Sequence, residues 1–464
     1  MRVTSRSWHR RARTAAVLGI AATLTLAACG GDEDAASGDD DGLLDGASAS
    51  PESLSGTVQV WGWNTGPEQA DRLLPAFNEL YPNIEVQMKA ISFGDYAAAL
   101  RPALGSDSGP DVFQLQGGAL TSQFGQFGED LSLLAADTLG EDWQDKIAEV
   151  GVSAYTIDGE LKALAVGLQA AGTLAYNKTL FDEYDLEPPE TVSEWVDLCE
   201  TLASNDVTCF AQGAQDGWVN QDVIQAIANS IAPGKFTQAV ENEVPWTDSD
   251  LVEAFTVWGE LFENGVMQPG ALAAPMQPDV INQFLRGDSA MIALGVWAMQ
   301  YFKGDALETQ MEAAGVSDPA AFEVLIMDFP SATDEPVDLE LFGGADNGMA
   351  VNAKSDNKAA AAAFVQWLAL TEEGQQAVTG NLAYQPALKG VAPAALDGLT
   401  APEEQEALFE EYSSRVQSIT DPRTIAYPDL VTALGDNLQA IGTGEKTPEQ
   451  AASDLQAVSE GIDR

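Results

Sequence analysis

Apolar and polar positions alternate with two different periods along this chain, and the switches between them lay out its elements. From Thr57 to Trp61 the period is two, with Val58 and Val60 on one face, which predicts a strand. Pro67 then opens a stretch of helical period. It stands at a first-turn position, and Leu73, Leu74, Phe77 and Leu80 make one apolar stripe. Tyr81-Pro82 stops that helix, because the residue before a proline is driven out of helical backbone. Ile84, Val86 and Met88 return to period two, a helix is expected over 95–104, and the apolar run 111–115 reads as a third strand. A β-α-β-α-β run of this kind calls for a mostly parallel, doubly wound sheet.

A second alternation begins near Ala163. Leu174 to Tyr176 reads as a strand, and Thr191 with Glu194 as a capping box ahead of the stripe Val192, Trp195, Leu198, Cys199 and Leu202. A helix over 279–286 ends at Gly287 before a buried strand at 290–294, and 322–327 is another strand. Ser355 is expected to cap the alanine-rich helix holding Phe364, Trp367 and Leu368, and the chain from Pro428 onward is helical, broken at Gly442-Thr443-Gly444. No fixed-period repeat occurs, which argues against a solenoid or propeller. The chain beyond Ser55 is too long for one core and suits two lobes.

The amino end follows a different pattern. Arg2, Arg6, Arg10, Arg11 and Arg13 precede an apolar stretch, 15–27, too short to span a membrane. Residues 1–28 therefore read as a secretory signal. The small residues of Leu26-Ala27-Ala28-Cys29 resemble the lipobox of bacterial lipoproteins, in which Cys29 would carry lipid; an ordinary signal with a chance cysteine is the plainer alternative. Residues 29–55 are acidic, small and poor in apolar side chains, so they read as a disordered tether.

Removing the signal also removes His9, the only histidine. That excludes Ser-His-Asp and Cys-His catalysis and histidine-ligated zinc, and no metal or cofactor is expected. The same cut takes away five arginines and no acid, moving the formal charge from −51 to −56. A surface this acidic repels phosphate backbones, which excludes general nucleic-acid binding, and it leaves the lipid as the only expected link to a membrane. Cys199 and Cys209 remain, ten apart; outside the cytoplasm a disulfide is expected, with two buried thiols as the alternative.

Several segments together resemble the extracellular solute-binding proteins of carbohydrate ABC importers, the maltose-binding-protein-like family. They are VWGWNTGPEQADRLLPAFNELYPNIEV (60–86), GPDVFQL (109–115), IDGELKALAVGLQAAGTLAYNKTLFDEYDLEPPETVSEW (157–195), DGWVNQ (216–221), FLRGDSAMIALGVW (284–297), GGADNGMAV (343–351) and FVQWLALTEEGQQAV (364–378). The resemblance implies a periplasmic-binding-protein-like α/β fold, two doubly wound lobes joined by a multi-crossing hinge. The expected N-terminal lobe is 56–163 with 329–370, and the C-terminal lobe 164–328 with 371–464. It further implies a monomeric, lipid-anchored receptor on the outer face of the bacterial membrane. Such a receptor closes on a mono- or oligosaccharide, delivers it to the transmembrane subunits of the importer and performs no chemistry.

Trp297 matches a family position where tryptophan stacks on sugar, and Trp218 a binding aromatic after a similar glycine turn. Trp63 fits a strand-end core residue equally well, while Trp195, Trp258 and Trp367 lie on helix stripes and read as core. Asn64, Gln116, Gln169, Asn220 and Asp346 are candidate hydroxyl partners, with Gly344 beside them, since sugars suit aromatic platforms edged by uncharged donors and acceptors. Two departures bear on which sugar is bound. Gly117-Gly118 replaces family contact residues, and a late helical aromatic has no counterpart near Val431. The rivals are a receptor for a polyamine or another small solute, and a secreted glycoside hydrolase using two carboxylates.

Other motifs carry no function. In Gly442-Thr443-Gly444-Glu445-Lys446-Thr447, Glu445 stands where a P-loop needs glycine, and the stretch follows a helix rather than a strand. Ser355-Asp356-Asn357-Lys358 compresses two penicillin-binding motifs onto one serine and reads as a cap.

Overall fold

The computed structural model describes residues 50–106, 109–392 and 394–464; the expected signal, Cys29 and the tether up to residue 49 lie outside the described residues. Apart from one two-stranded hairpin, the strands sort into two sheets. β1 (Gly56–Gly62) lies between β2 (Ile84–Ala90) and β3 (Val112–Leu115), all parallel. Val58 and Val60 are fully buried, as are Leu73 and Phe77 of the helix Pro67–Leu80, so the period-two face of the strand and the 3.6-period face of the helix share one core. Tyr81 leaves helical backbone at φ −121°, as its proline neighbour requires.

A small hairpin, β4 (Thr156–Ile157) with β5 (Glu160–Leu161), precedes β6 (Leu164–Ala171) and β7 (Thr173–Asn177). β8 (Thr208–Ala211), β9 (Ser289–Ile292), β10 (Val324–Asp328), β11 (Phe342–Val351) and β12 (Asp421–Pro422) follow. The first sheet runs β12-β11-β3-β1-β2, with β6 also paired to β11, and the second runs β10-β7-β9-β8. Parallel pairing is concentrated in β1–β3. In the second sheet only β8 and β9 run parallel, and β7 is antiparallel to both neighbours.

Two of the expected lobe boundaries move. Residues 164–171 are expected in the second lobe, but β6 pairs along β11 in the first sheet, and the crossing falls at Gly172. Residues from 371 are likewise expected in the second lobe, yet the helix Glu372–Thr379 stays on the first. Gln375 Nε2 donates to the Val166 carbonyl at 3.0 Å, and Arg72 donates to the Ala377 carbonyl at 2.9 Å. The chain leaves this lobe only after Leu388, which bridges to Ile147, and reaches the second by Leu399, which bridges to Lys303. Near the expected crossing at Asp328, β10 of the second sheet ends, and the next strand, β11, belongs to the first.

Gly172 has φ of 98°, a region favouring glycine, and a Cβ there would stand 3.2 Å from the Phe342 ring. Its carbonyl accepts from the Phe329 amide at 2.9 Å, so the first two crossing segments run side by side and are bonded to each other.

Local capping differs in detail from the expectation. Thr191 Oγ1 accepts from the Glu194 amide at 3.2 Å, but the Glu194 carboxylate reaches Glu190 rather than Thr191. Ser355 does not cap the helix Lys358–Leu370. Its hydroxyl accepts from the Asn357 amide just before the helix begins. Cys199 and Cys209 are bonded, S–S 2.00 Å, joining the helix Val192–Ala203 to β8.

Candidate functional site

In an open α/β sheet the crevice beyond the carboxyl ends of the strands is where a ligand can sit. Here β1 and β3 end in Trp63, Asn64 and Gln116, which line a cavity of about 760 Å³ whose other wall comes from elements of the second sheet. The strand ends are fixed by Gln114, a fully buried polar residue inside β3. Its Oε1 accepts from the Trp63 and Asn64 amides at 3.0 and 3.3 Å, while its Nε2 donates to Asn347 Oδ1 at 2.8 Å.

The aromatic lining is continuous. Trp63 packs edge-on against Phe93 and Tyr96, each at 5.3 Å between centroids, and Trp218 and Trp297 lie 6.4 Å apart on the opposite wall. Trp218 is carried by the first turn of the helix Gly217–Ile231, and Trp297 by the 3₁₀ segment Val296–Phe302. Gly295 is a close-approach glycine, since a Cβ there would overlap both the Trp297 ring and the Ala170 carbonyl oxygen. Trp63, Trp218 and Trp297 are all only half-buried, whereas Trp195 and Trp258 are fully enclosed and Trp367 almost so.

Polar groups fill the edges. Gln169 lines the cavity and donates to the Ala383 carbonyl at 3.0 Å. Asn64 Nδ2 donates to the Tyr384 hydroxyl, which burial holds well above the ordinary tyrosine pKa and therefore protonated. Asp346 accepts from Gln116 Nε2 at 2.5 Å on one oxygen and from Arg423 Nη1 at 2.9 Å on the other. Arg423 is 7% exposed and grips Asp222 with two bonds of 2.7 and 2.9 Å. Burial alone would lower its pKa, but the carboxylates of Asp222 and Asp346 outweigh that and raise it, so the guanidinium stays charged. Burial pushes the Asp222 carboxyl up, with Arg423 opposing the shift. The guanidinium carbon lies 4.8 Å from the Trp297 ring centre and 5.6 Å from that of Trp218. On the far wall, Asp216 is raised by burial and restrained by the Met276 amide, which donates to it at 2.8 Å.

Seven of the nine residues expected at a ligand line the cavity together: Trp63, Asn64, Gln116, Gln169, Trp218, Trp297 and Asp346. Asn220 and Gly344 do not. Asn220 is fully buried, donating to the Ala214 carbonyl at 2.8 Å and accepting from Gln212, so it braces the loop that presents Gln215 and Asp216. It stands two residues past Trp218 on one helix, about 200° around the axis, and the two cannot face the same way. Gly344 faces the Val150 side chain, and a bulge between Gly344 and Asn347 turns Asp346 to the cavity instead. Sequence reasoning missed Phe93, Arg72, Tyr384 and Arg423, all of them in the lining. Arg423 had one signal: an arginine in a chain with only 21 lysines and arginines against 72 acids. Among the described residues no group of acidic, cysteine or histidine side chains is placed to hold a metal.

A family model described as bacterial extracellular solute-binding protein matches residues 62–376. An uncharacterized ABC transporter extracellular-binding protein of Pyrococcus horikoshii is 22% identical over 302 residues, 62% of this chain and 67% of that protein. A multiple sugar-binding protein of Streptococcus mutans is 22% identical over 308 residues, 64% of this chain and 67% of that one. A solved structure concerned with xylan utilization by the thermophilic bacterium Caldanaerobius polysaccharolyticus shares the fold. Its TM-score is 0.70 at 20% identity, covering 88% of this chain and 100% of the other.

Proposed function

Because the chain belongs to the bacterial extracellular solute-binding protein family, we propose that it is an extracytoplasmic receptor for a mono- or oligosaccharide, which it delivers to the transmembrane subunits of an ABC importer. The lining carries the sugar reading: indole faces from both walls, edged by the amides of Asn64, Gln116 and Gln169. Sugar rings offer flat C–H faces and rims of hydroxyls, and this combination suits both. The names of similar proteins support the same class, one a multiple sugar-binding protein and one tied to xylan utilization.

A cation receptor would turn carboxylates to its ligand; Glu68, Asp95 and Asp216 also line the cavity, but Asp346 is already paired with Arg423, and the indole faces and amides suit a sugar better. A carboxylate hydrolase would need an acid and a base or nucleophile flanking the scissile bond, a role for which Asp346, ion-paired to Arg423, is poorly suited; release of reducing ends would separate this reading from the sugar receptor. The protein is a carrier that performs no chemistry, anchored through lipid on Cys29, with its lobes closing about the crossing at Gly172. A thermal-shift screen of mono- and oligosaccharides tests it, because a ligand that binds only the folded state raises the melting point by mass action. The expected result is a saturable rise with one sugar class and no release of reducing ends on long incubation. A rise with polyamines alone, abolished by salt, would replace this reading.

A further inference from the structure

We propose that Arg423 is the positioning residue of the cavity: braced from behind by Asp222, it holds Asp346 and the Trp218–Trp297 pair as one unit, so that a ring's face and its hydroxyl edge are read together. The inference rests on the sugar reading above and adds a residue outside the stretch 62–376 that the family model matches.

The geometry is specific. A guanidinium has five N–H donors in one rigid plane. Nε and Nη2 are spent on Asp222, and one N–H of Nη1 on Asp346. With three donors committed to two carboxylates, the plane cannot rotate, and the two indoles pack against a fixed cation. The three charged groups come from separate elements: Asp222 from the helix Gly217–Ile231, Asp346 from β11, and Arg423 from the segment after β12. Gln221 holds that segment by donating to the Arg423 carbonyl. Trp218 and Asp222 stand four apart on one helix and so share a face. One turn therefore sets an indole at the cavity and a carboxylate behind the arginine. Asp222 does not line the cavity, so any influence it has on a bound sugar passes through Arg423.

The experiment uses the full chain with Asp222→Asn and Arg423→Lys. Asp222→Asn keeps side-chain shape and removes a charge the ligand cannot touch. Arg423→Lys keeps the charge and loses the planar fork. Two measurements are made: the near-ultraviolet circular dichroism of the indoles without sugar, and calorimetric affinity for the tightest binder among maltotriose, xylotriose and chitotriose. Both variants are expected to change the indole signal while melting cooperatively. Each should lose roughly tenfold or more in affinity, and a further Trp297→Ala should cost less in either background than alone, because the two act as one unit. An unchanged indole signal with unchanged affinity in Asp222→Asn would overturn the proposal, as would full affinity in Arg423→Lys. Affinity lost only together with cooperative melting marks a purely structural ion pair and overturns it too. A changed indole signal when none of the three sugars binds the unaltered protein supports the positioning role and sinks the sugar reading instead.

Discussion

Phe93 and Trp218 meet edge to face with ring centroids 6.3 Å apart, although one opens a helix packed on the first sheet and the other a helix of the second. Through this contact the run Trp63, Phe93, Trp218, Trp297 is an unbroken path of rings across the cleft. On the sugar reading, a ligand entering the cavity would meet aromatic surface from both lobes, so closure and binding would draw on the same side chains. Affinity is therefore expected to depend on rings from either side.

Trp297→Ala tests the platform. Covering one ring face removes on the order of 50–100 Å² of apolar surface, or roughly 1–2.5 kcal/mol at about 25 cal/mol per Å². Sugar affinity is expected to fall by about one to two decades. The denaturant midpoint should move little, since the indole is only half-buried. A loss of roughly 3–5 kcal/mol in stability would instead mark Trp297 as core.

Gly172→Ala tests the crossing. Alanine would take an unfavourable backbone conformation at φ 98° and press on Phe342, a cost of about 1–3 kcal/mol. The denaturant midpoint should fall. Small-angle scattering should show a smaller decrease in radius of gyration on adding sugar than the unaltered protein shows. An identical decrease would place the pivot elsewhere.

The bond between Cys199 and Cys209 closes a short loop between a helix and the edge strand of the second sheet. On the chain-entropy model that constraint contributes about 2–3 kcal/mol. The double change Cys199→Ser with Cys209→Ser should lower the unfolding midpoint accordingly and make it indifferent to reductant. A midpoint that still falls on adding reductant would contradict this.

Cys29→Ser should release the protein from membranes into the medium with its sugar affinity intact. Cell fractionation and calorimetry check the two halves, and continued membrane retention of the variant would remove the lipid anchor from the account.

The local elements were readable because their causes are local. Pro67, the stripe Leu73–Phe77 and the Tyr81-Pro82 stop fix one helix without help from distant chain, and the alternation around Val58 fixes its strand. Trp63, Trp218 and Trp297 were readable because each follows a strand end or a glycine turn. Arg423 and Tyr384 were not, because only tertiary pairing brings them in: β12 against β11 for the first, the Leu168–Gln385 bridge for the second. Asn220 misled for the opposite reason. Read as a hydroxyl partner beside Trp218, it turns away because the helix begins at Gly217 and sets the two on different faces. The boundary at 163 failed because β6 is buried along its whole length and carries no alternation to say which sheet it joins.

β11 pairs with β3, β6 and β12, yet it is supplied only at residues 342–351, after every strand of the second sheet. A chain exported amino end first therefore presents β1–β3 with one flank unpaired while some 200 further residues emerge. The sheet begun first is finished last. Until β11 arrives, the β3 edge is an open template for other chains, so export of this protein should depend on speed or on guarding of that edge. A fragment ending before residue 342 should be far more prone to aggregate than the full chain.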